Sequence, residues 1–224
     1  MKESILSHET KTKYDEDYRD KKFGGPGYVH KWILELLRPT PKTRLLDIGC
    51  SQGYLLAEAD KAGLLTYGVD ISQEAVNMAR ENSPNSHIVC DDAHSLQWKD
   101  EYFDYITNIG SLEHFKDPDT CLAEMKRVLK WGGKACIMLP NQHYYRHVIN
   151  KVVWKKDPTS YQSIERFASL AEWREMLDDN GLIVEKVYKY NKFNRNKFLI
   201  FVRSLVIPVV LSHHFVFICR RDDR

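Results

Sequence analysis

The stretch "LLDIGCSQGYLL", Leu45 to Leu56, decides how the rest of the chain is read. An apolar run reaches Asp47, passes two glycines four positions apart, Gly49 and Gly53, and opens a helical run from about Gln52. Glycine adopts backbone angles closed to other residues and lets a ligand approach the main chain closely. A strand that ends here and feeds a helix offers that helix's free N–H groups at the carboxyl end of the strand. In an open parallel sheet, ligands bind at that end.

Working outward, strand-like apolar runs recur at "RLLDIG" (44–49), "LLTYGVD" (64–70), "HIVCD" (87–91), "FDYITNIG" (103–110) and "GKACIMLP" (133–140). Helical stretches lie between the first three runs, and another joins the fourth to the fifth. The best marked covers 118–130, with Asp117 as N-cap, Pro118 at the first helical position and Gly132-Gly133 beyond its end. Its Leu122, Met125, Val128 and Leu129 form one apolar stripe. Strands alternating with helices predict an α/β fold, a parallel sheet covered on both faces. Later, 168–180 reads as a helix with Leu170, Trp173 and Leu177 on one face and Gly181 closing it. "LIVEKVYKY" and "HFVFICRR" read as two final strands. Ahead of the sheet, Tyr28, Trp32, Ile33, Leu36 and Leu37 fall at helical spacing before Pro39.

With 224 residues, 43% apolar and 12% aromatic, the composition is that of a folded chain rather than a disordered one. The net charge of +2 gives no global attraction to nucleic acid, but it is unevenly spread. Residues 186–224 carry +7 and residues 1–185 carry −5. The five cysteines show no C-x-x-C pairing, which predicts reduced thiols, no zinc and no disulfide framework. The first 22 residues lack the apolar core of a signal peptide, so a cytoplasmic location is expected.

Asp70 ends the second strand-like run some twenty residues beyond the glycine turn, where a carboxylate can accept from both hydroxyls of a ribose. The ligand therefore carries a nucleoside. A dinucleotide would want G-x-G-x-x-G, and here Gly49 is followed by Cys50, Ser51, Gln52, Gly53 and Tyr54. Asp47, two residues before the first glycine, also opposes a pyrophosphate and suits a cationic or zwitterionic ligand.

This stretch resembles motif I of the class I S-adenosylmethionine-dependent methyltransferases. "YGVDIS" (67–72) is similar to the family's ribose-binding motif, and "CDDAHSL" (90–96) to its adenine-binding motif. Residues 103–141 resemble the fourth strand, following helix and fifth strand. The likeness covers about residues 43–141, and four motifs stand in the right order at the right spacing. It departs from the pattern at Ser51, where many members carry glycine.

The resemblance implies a Rossmann-like, doubly wound sheet of seven strands with an antiparallel last strand, and S-adenosylmethionine as cofactor. On it, residues 1–224 form one methyltransferase domain. A helical cap would cover 1–40, the cofactor-binding core 43–141, and insertions at 142–167 and 192–212 would form the acceptor site or a lid. It implies that Asp47, Gly49, Cys50, Ser51 and Gly53 shape the methionyl end, and Asp70 and Ile71 the ribose. Asp91, Asp92 and Ala93 would serve the adenine, and Asn108, Ile109 and Gly110 the wall beneath the sulfonium.

Methyl transfer from a sulfonium is an in-line displacement, in which the protein aligns the acceptor and, for a hydroxyl or amine, removes a proton. His114 in "SLEHF" is the expected base, with Tyr14 or Tyr18 as the partner the resemblance suggests. The alternative is that Glu113 and His114 cap and orient the loop. His143 is a further candidate. His143 and His147 lie four apart, a spacing that also suits a metal, but no H-E-x-x-H or paired carboxylate supports one. Tyr144, Tyr145, Trp154 and Tyr161 could stack on a ring or sugar, and Glu165 and Arg166 could contact substrate or form a surface ion pair.

The apolar run 198–211 contains Arg203 and Pro208 and falls short of the ~20 residues a membrane span requires. The segment 196–211 reads as a lid, a partner interface, or a contact with a membrane surface through its basic neighbours. The expected acceptor is a small-molecule, sugar- or lipid-linked compound, with no nucleic acid partner. The alternatives are an RNA or protein methyltransferase, or a catalytically inactive cofactor-binding protein.

Overall fold

The structure, a computed structural model, describes residues 2–20, 27–145, 165–191 and 207–222, with side chains described from residue 11 onward. The chain runs through helix α1 (Lys2–Arg19), helix α2 (Tyr28–Leu37), strand β1 (Arg44–Ile48), helix α3 (Tyr54–Lys61) and strand β2 (Leu65–Asp70). Helix α4 (Gln73–Asn82), strand β3 (His87–Cys90), strand β4 (Phe103–Ile109) and a 3-10 turn (Leu112–His114) follow. Helix α5 (Pro118–Val128), strand β5 (Leu129–Pro140), helix α6 (Leu170–Asp179), strand β6 (Leu182–Tyr190), a second 3-10 turn (Val209–Leu211) and strand β7 (His214–Arg221) complete it.

The strands form one seven-stranded sheet in the order β3-β2-β1-β4-β5-β7-β6. The first five strands are parallel, and β7 runs antiparallel to both β5 and β6. The expected Rossmann-like architecture with an antiparallel last strand is the one observed. β1 sits at the switch point, flanked by β2 and β4, so the loops after β1, β2 and β4 open on one edge.

Both faces of the sheet are covered. On one, Leu122, Met125 and Val128 of α5 and Trp173 and Leu177 of α6 pack on Leu46, Ile48, Ile106 and Ile137. On the other, Ile33, Leu34 and Leu37 of α2, Leu55, Leu56 and Ala59 of α3, and Val76 and Ala79 of α4 surround Leu45, Ile88 and Val216. Burying each Val, Leu, Ile or Met side chain among them contributes roughly 1.5–3 kcal/mol. α5 begins as read: the Asp117 carboxylate accepts from the Thr120 N–H at 3.2 Å, a cap worth about 1 kcal/mol. It ends earlier than read. Leu129 leaves the helix to pair with Phe103, so β5 starts four residues before Gly133 and carries Lys130 to Gly132 within the strand.

α1 was legible only as part of a helical cap. It is anchored through Asp15, whose carboxylate accepts from Ser72 Oγ at 2.5 Å and from the Glu74 N–H at 3.2 Å. Arg19 pairs with Glu74 at 3.1 Å. These contacts hold α1 across the N-terminus of α4, beside the carboxyl end of β2. Among the described residues no helix is long and apolar enough to cross a membrane.

Candidate active site

The turn after β1 is built by one carbonyl and three left-handed residues. Val69 C=O accepts from the N–H of Gly49 at 2.8 Å and of Cys50 at 3.0 Å, bending the chain away from the sheet. Gly49, Ser51 and Gly53 adopt φ of 70°, 50° and 73°. A Cβ on Gly49 would collide with the Ser111 side chain, and one on Gly53 would lie 2.9 Å from Ala79 Cβ. Both glycines are therefore required by close packing as well as by conformation. Ser51 holds the same hand at a cost of roughly 1–2 kcal/mol, which is why glycine suits that position. Cys50 directs its thiol into the core against Gly68, so only its main chain belongs to the turn.

Three buried carboxyls surround this turn. Asp70 accepts the Ser51 N–H on Oδ2 at 2.9 Å and the Ser72 N–H on Oδ1 at 3.0 Å. Burial raises its pKa to about 6 against the lowering effect of those N–H groups. Asp47 accepts from Thr107 Oγ1 at 2.6 Å, and burial lifts its pKa to about 7. Glu113, in the 3-10 turn after β4, is 3% exposed, and burial lifts it to about 8 with Glu165 adding to the rise. A cation seated among them would reverse these shifts.

On the β3 side, Asp91 N–H donates to Asp70 C=O at 3.1 Å, tying the chain after β3 to the end of β2. Asp91 Oδ1 accepts the Asp92 N–H at 2.8 Å. Asp92 accepts from the His94 N–H at 2.9 Å and faces His94 Nδ1 at 2.5 Å, and the His94 ring holds its carboxyl below the usual range. Ala93 packs against the core beside them. Ile71 C=O faces the Cys90 thiol at 3.4 Å.

After β4, Asn108 is fully engaged. Its Nδ2 donates to Ile48 C=O at 3.1 Å and its Oδ1 accepts the Leu112 N–H at 3.0 Å, so it ties β1 to the 3-10 turn. Ile109 packs on the α2 face. Gly110 takes φ 71°, and a Cβ there would touch Glu113 Oε1 at 3.6 Å and Met138 Cε at 3.8 Å, both ordinary contact distances. His114 Nε2 lies 3.8 Å from Glu113 Oε1.

The two N-terminal tyrosines come to the same place. Tyr18 is 4% exposed and hydrogen-bonds the Ser51 side chain, and burial pushes its phenol far up. Tyr14 is pushed up to about 12, first by burial, then by Asp70 and Glu113. Both remain protonated near neutral pH, which suits them to donate hydrogen bonds rather than to take protons.

The residues expected at an acceptor site divide. His147, Trp154 and Tyr161 lie outside the described residues, as does 196–206 of the apolar segment. In the remainder of that segment, Val210 is 50% exposed. His143 is exposed and lines a hollow of about 410 Å³ with Ser169, Leu170, Ala171, Arg174 and Val210. Arg166 donates to the carbonyls of Phe115 and, at 2.8 Å, Lys116, and its own N–H reaches Glu113 C=O at 3.0 Å. Its guanidinium is thus spent on fixing the 113–116 loop. Tyr144 meets Tyr145 edge-on at 4.9 Å and His213 at 4.6 Å between ring centroids. His213 continues to His214 at 4.2 Å, and His214 to Tyr190 at 6.0 Å.

Several of these partners escaped the sequence reading. His213 and His214 sit in "SHHF", which reads as the end of a greasy tail, and Asp15 is one acidic residue among many. Thr107 lies inside an apolar strand with no motif around it. Glu113 reads in the sequence only as a cap.

The site fits S-adenosylmethionine. The Asp70 carboxylate braces main-chain N–H groups, among them those of Ser51 and Ser72, and a carboxylate's roughly four lone-pair sites leave room for a ribose hydroxyl as well. Among the described residues no group of three or more His, Cys, Asp or Glu is placed to hold a metal.

Residues 46–137 match the family model described as a methyltransferase domain. An uncharacterized protein of Methanocaldococcus jannaschii is 32% identical over 170 residues, covering 75% of this chain and 78% of that one. The ubiquinone biosynthesis O-methyltransferase of Coxiella burnetii is 27% identical over 154 residues, covering 62% and 66%. Among solved structures, the methyltransferase in complex with the Haloferax volcanii Trm112 methyltransferase activator superposes with a TM-score of 0.72 at 21% identity, covering 92% and 94%. The chain belongs to the S-adenosylmethionine-dependent methyltransferases. It is an enzyme of that class, with S-adenosylmethionine as its cofactor.

Proposed function

We propose that the enzyme methylates a small-molecule, sugar- or lipid-linked acceptor by in-line transfer, at a cytoplasmic or membrane-surface location. The observation that carries this reading is the ring tract Tyr145–Tyr144–His213–His214–Tyr190 on the rim beyond β5 and β7. His214 pairs with Pro140, and Met138 two residues earlier pairs with Ile109 of β4. At about 4.8 Å per strand, the tract stands roughly 10 Å across the sheet from the Gly110 turn. Ring faces and imidazole edges at that separation suit an acceptor with an apolar or sugar body and one protic group. The relative named for ubiquinone biosynthesis supports an acceptor of that kind.

In this reading Asp47 and the Gly49–Gly53 turn hold the methionyl end, Asp70 the ribose, and Asp91 to Ala93 the adenine. Gly110 lies under the sulfonium, and His114 takes the acceptor's proton while Tyr14 and Tyr18 donate hydrogen bonds. The test is incubation with methyl-tritiated S-adenosylmethionine and a cell extract split into lipid, small-molecule, RNA and protein fractions. Label in the lipid or small-molecule fraction supports the reading. Label confined to RNA or protein overturns it.

A further inference from the structure

Glu113 has the least satisfied side chain in the site. Its Oε2 is buried and has no hydrogen-bond partner among the described residues. Leaving a carboxyl oxygen buried and unpaired costs about 1–3 kcal/mol, and more when it is charged. A chain tolerates such a group where a ligand completes it.

The surroundings indicate what that ligand must bring. Glu113 Oε1 lies 3.6 Å from where a Gly110 Cβ would stand, so the carboxyl is in contact distance of the turn that ends β4. Ser111, the residue after Gly110, packs against the Gly49 turn. Tyr14 of α1 feels both Asp70 and Glu113, so the two buried carboxyls lie near one phenol beneath α1. The charged and titratable groups within reach are acidic or spoken for. Glu165 repels Glu113, while Asp47 and Asp70 lie across the turn. The Arg166 guanidinium is turned to the Phe115 and Lys116 carbonyls, and Tyr14 keeps its proton. His114 Nε2 lies 3.8 Å from Oε1, an ion-pair distance when the imidazole is protonated, and leaves Oε2 unpaired.

Resting on the S-adenosylmethionine reading of the site, we infer that Glu113 is the counter-charge to the donor's sulfonium, protonated in the empty site and ionised when that cation binds. The Glu113 O–H bond breaks on binding and the proton leaves to buffer. After methyl transfer the thioether product is neutral, Glu113 takes a proton back, and product binding loses that contribution. Glu113 thereby favours the methyl donor over its product at one site. The near-neutral value of about 8 supports this, because a nearby cation can tip such a group at physiological pH.

S-adenosylmethionine and S-adenosylhomocysteine share every group except the methyl and its charge, so the pair isolates the effect. The experiment is calorimetric titration of the full chain with each, at pH 6.5 to 8.5 and in buffers of differing ionisation enthalpy, for wild type and Glu113→Gln. The expected result is that S-adenosylmethionine releases more protons than S-adenosylhomocysteine near pH 7.5. Its relative affinity should rise about fivefold or more across the range, and both effects should vanish in Glu113→Gln. Equal proton release by the two ligands in wild type overturns the inference while leaving the cofactor reading intact. A difference that survives in Glu113→Gln assigns it to Asp47 or Asp70 and also overturns it. Absence of binding by either ligand to wild type would refute the cofactor reading itself. If Glu113→Gln fails to fold, Glu113→Leu takes its place with the same two outcomes.

Discussion

Asp70 Oδ2 accepts the Ser51 N–H at 2.9 Å, and this one hydrogen bond joins the end of β2 to the left-handed turn after β1. The carboxylate expected to hold a ribose is therefore also the brace of the loop expected to hold the methionyl end. On the proposed ribose role of Asp70, ligand binding and loop geometry are coupled through a single side chain.

Gly49→Ala tests the turn itself. The added methyl meets Ser111 and the backbone is held at φ 70°, a strain of roughly 1–2 kcal/mol before any packing cost. S-adenosylhomocysteine affinity should fall more than tenfold with a lower melting temperature. Unchanged binding by calorimetry would mean the ligand does not approach this turn.

The tether of α1 predicts a local effect. Asp15→Ala removes the acceptor for Ser72 Oγ and the Glu74 N–H, a loss of roughly 1–2 kcal/mol from the docking of α1. Amide hydrogen exchange within residues 11–19 should accelerate about tenfold, while β1 and β5 keep their protection. Uniform acceleration across the chain would show that α1 and the sheet open as one unit.

Arg166→Ala separates loop support from substrate contact. Two loop carbonyls lose a charged donor, so stability should drop by about 1–3 kcal/mol. S-adenosylhomocysteine affinity should change less than threefold. Full stability in the variant would return Arg166 to the acceptor site.

Asp47, Asp70 and Glu113 all have folded-state pKa values above the ordinary carboxylate range, near 7, 6 and 8. For an acid shifted upward, the folded state holds protons that the unfolded chain has already released between the two values. Stability is then greatest below about pH 4 to 4.5 for these groups, and is lost progressively as pH rises to about 8. The ligand-free protein should accordingly melt higher at pH 5.5 than at pH 8.5. Glu113→Gln should flatten the upper part of that slope, above pH 7. A melting temperature that rises with pH across this interval would contradict the burial of these groups.

How legible all this was depended on whether the signal was local. The glycine turn, Asp70 and the Asp117 cap are short-range devices, and residue type announces them. β6 and β7 were readable from their patterning. The start of β5 was not, because Leu129 continues the apolar stripe of α5 and only its pairing with Phe103 shows that it has changed partners. Side-chain roles set by distant neighbours were equally hidden. Asn108 looks like a wall residue until its amide is seen holding Ile48 and Leu112. Arg166 resembles a substrate contact until its guanidinium reaches back 50 residues to Lys116. Glu113 looks like a cap, and its unpaired oxygen emerges only when the turn is packed.

The most direct test of the central claim is calorimetric titration of wild type and Asp70→Ala with S-adenosylhomocysteine, with NAD as a parallel ligand. The account predicts micromolar binding of S-adenosylhomocysteine to wild type, a loss of at least tenfold in Asp70→Ala, and no binding of NAD. Binding of NAD alone, or S-adenosylhomocysteine affinity unaffected by loss of the Asp70 carboxylate, would contradict it.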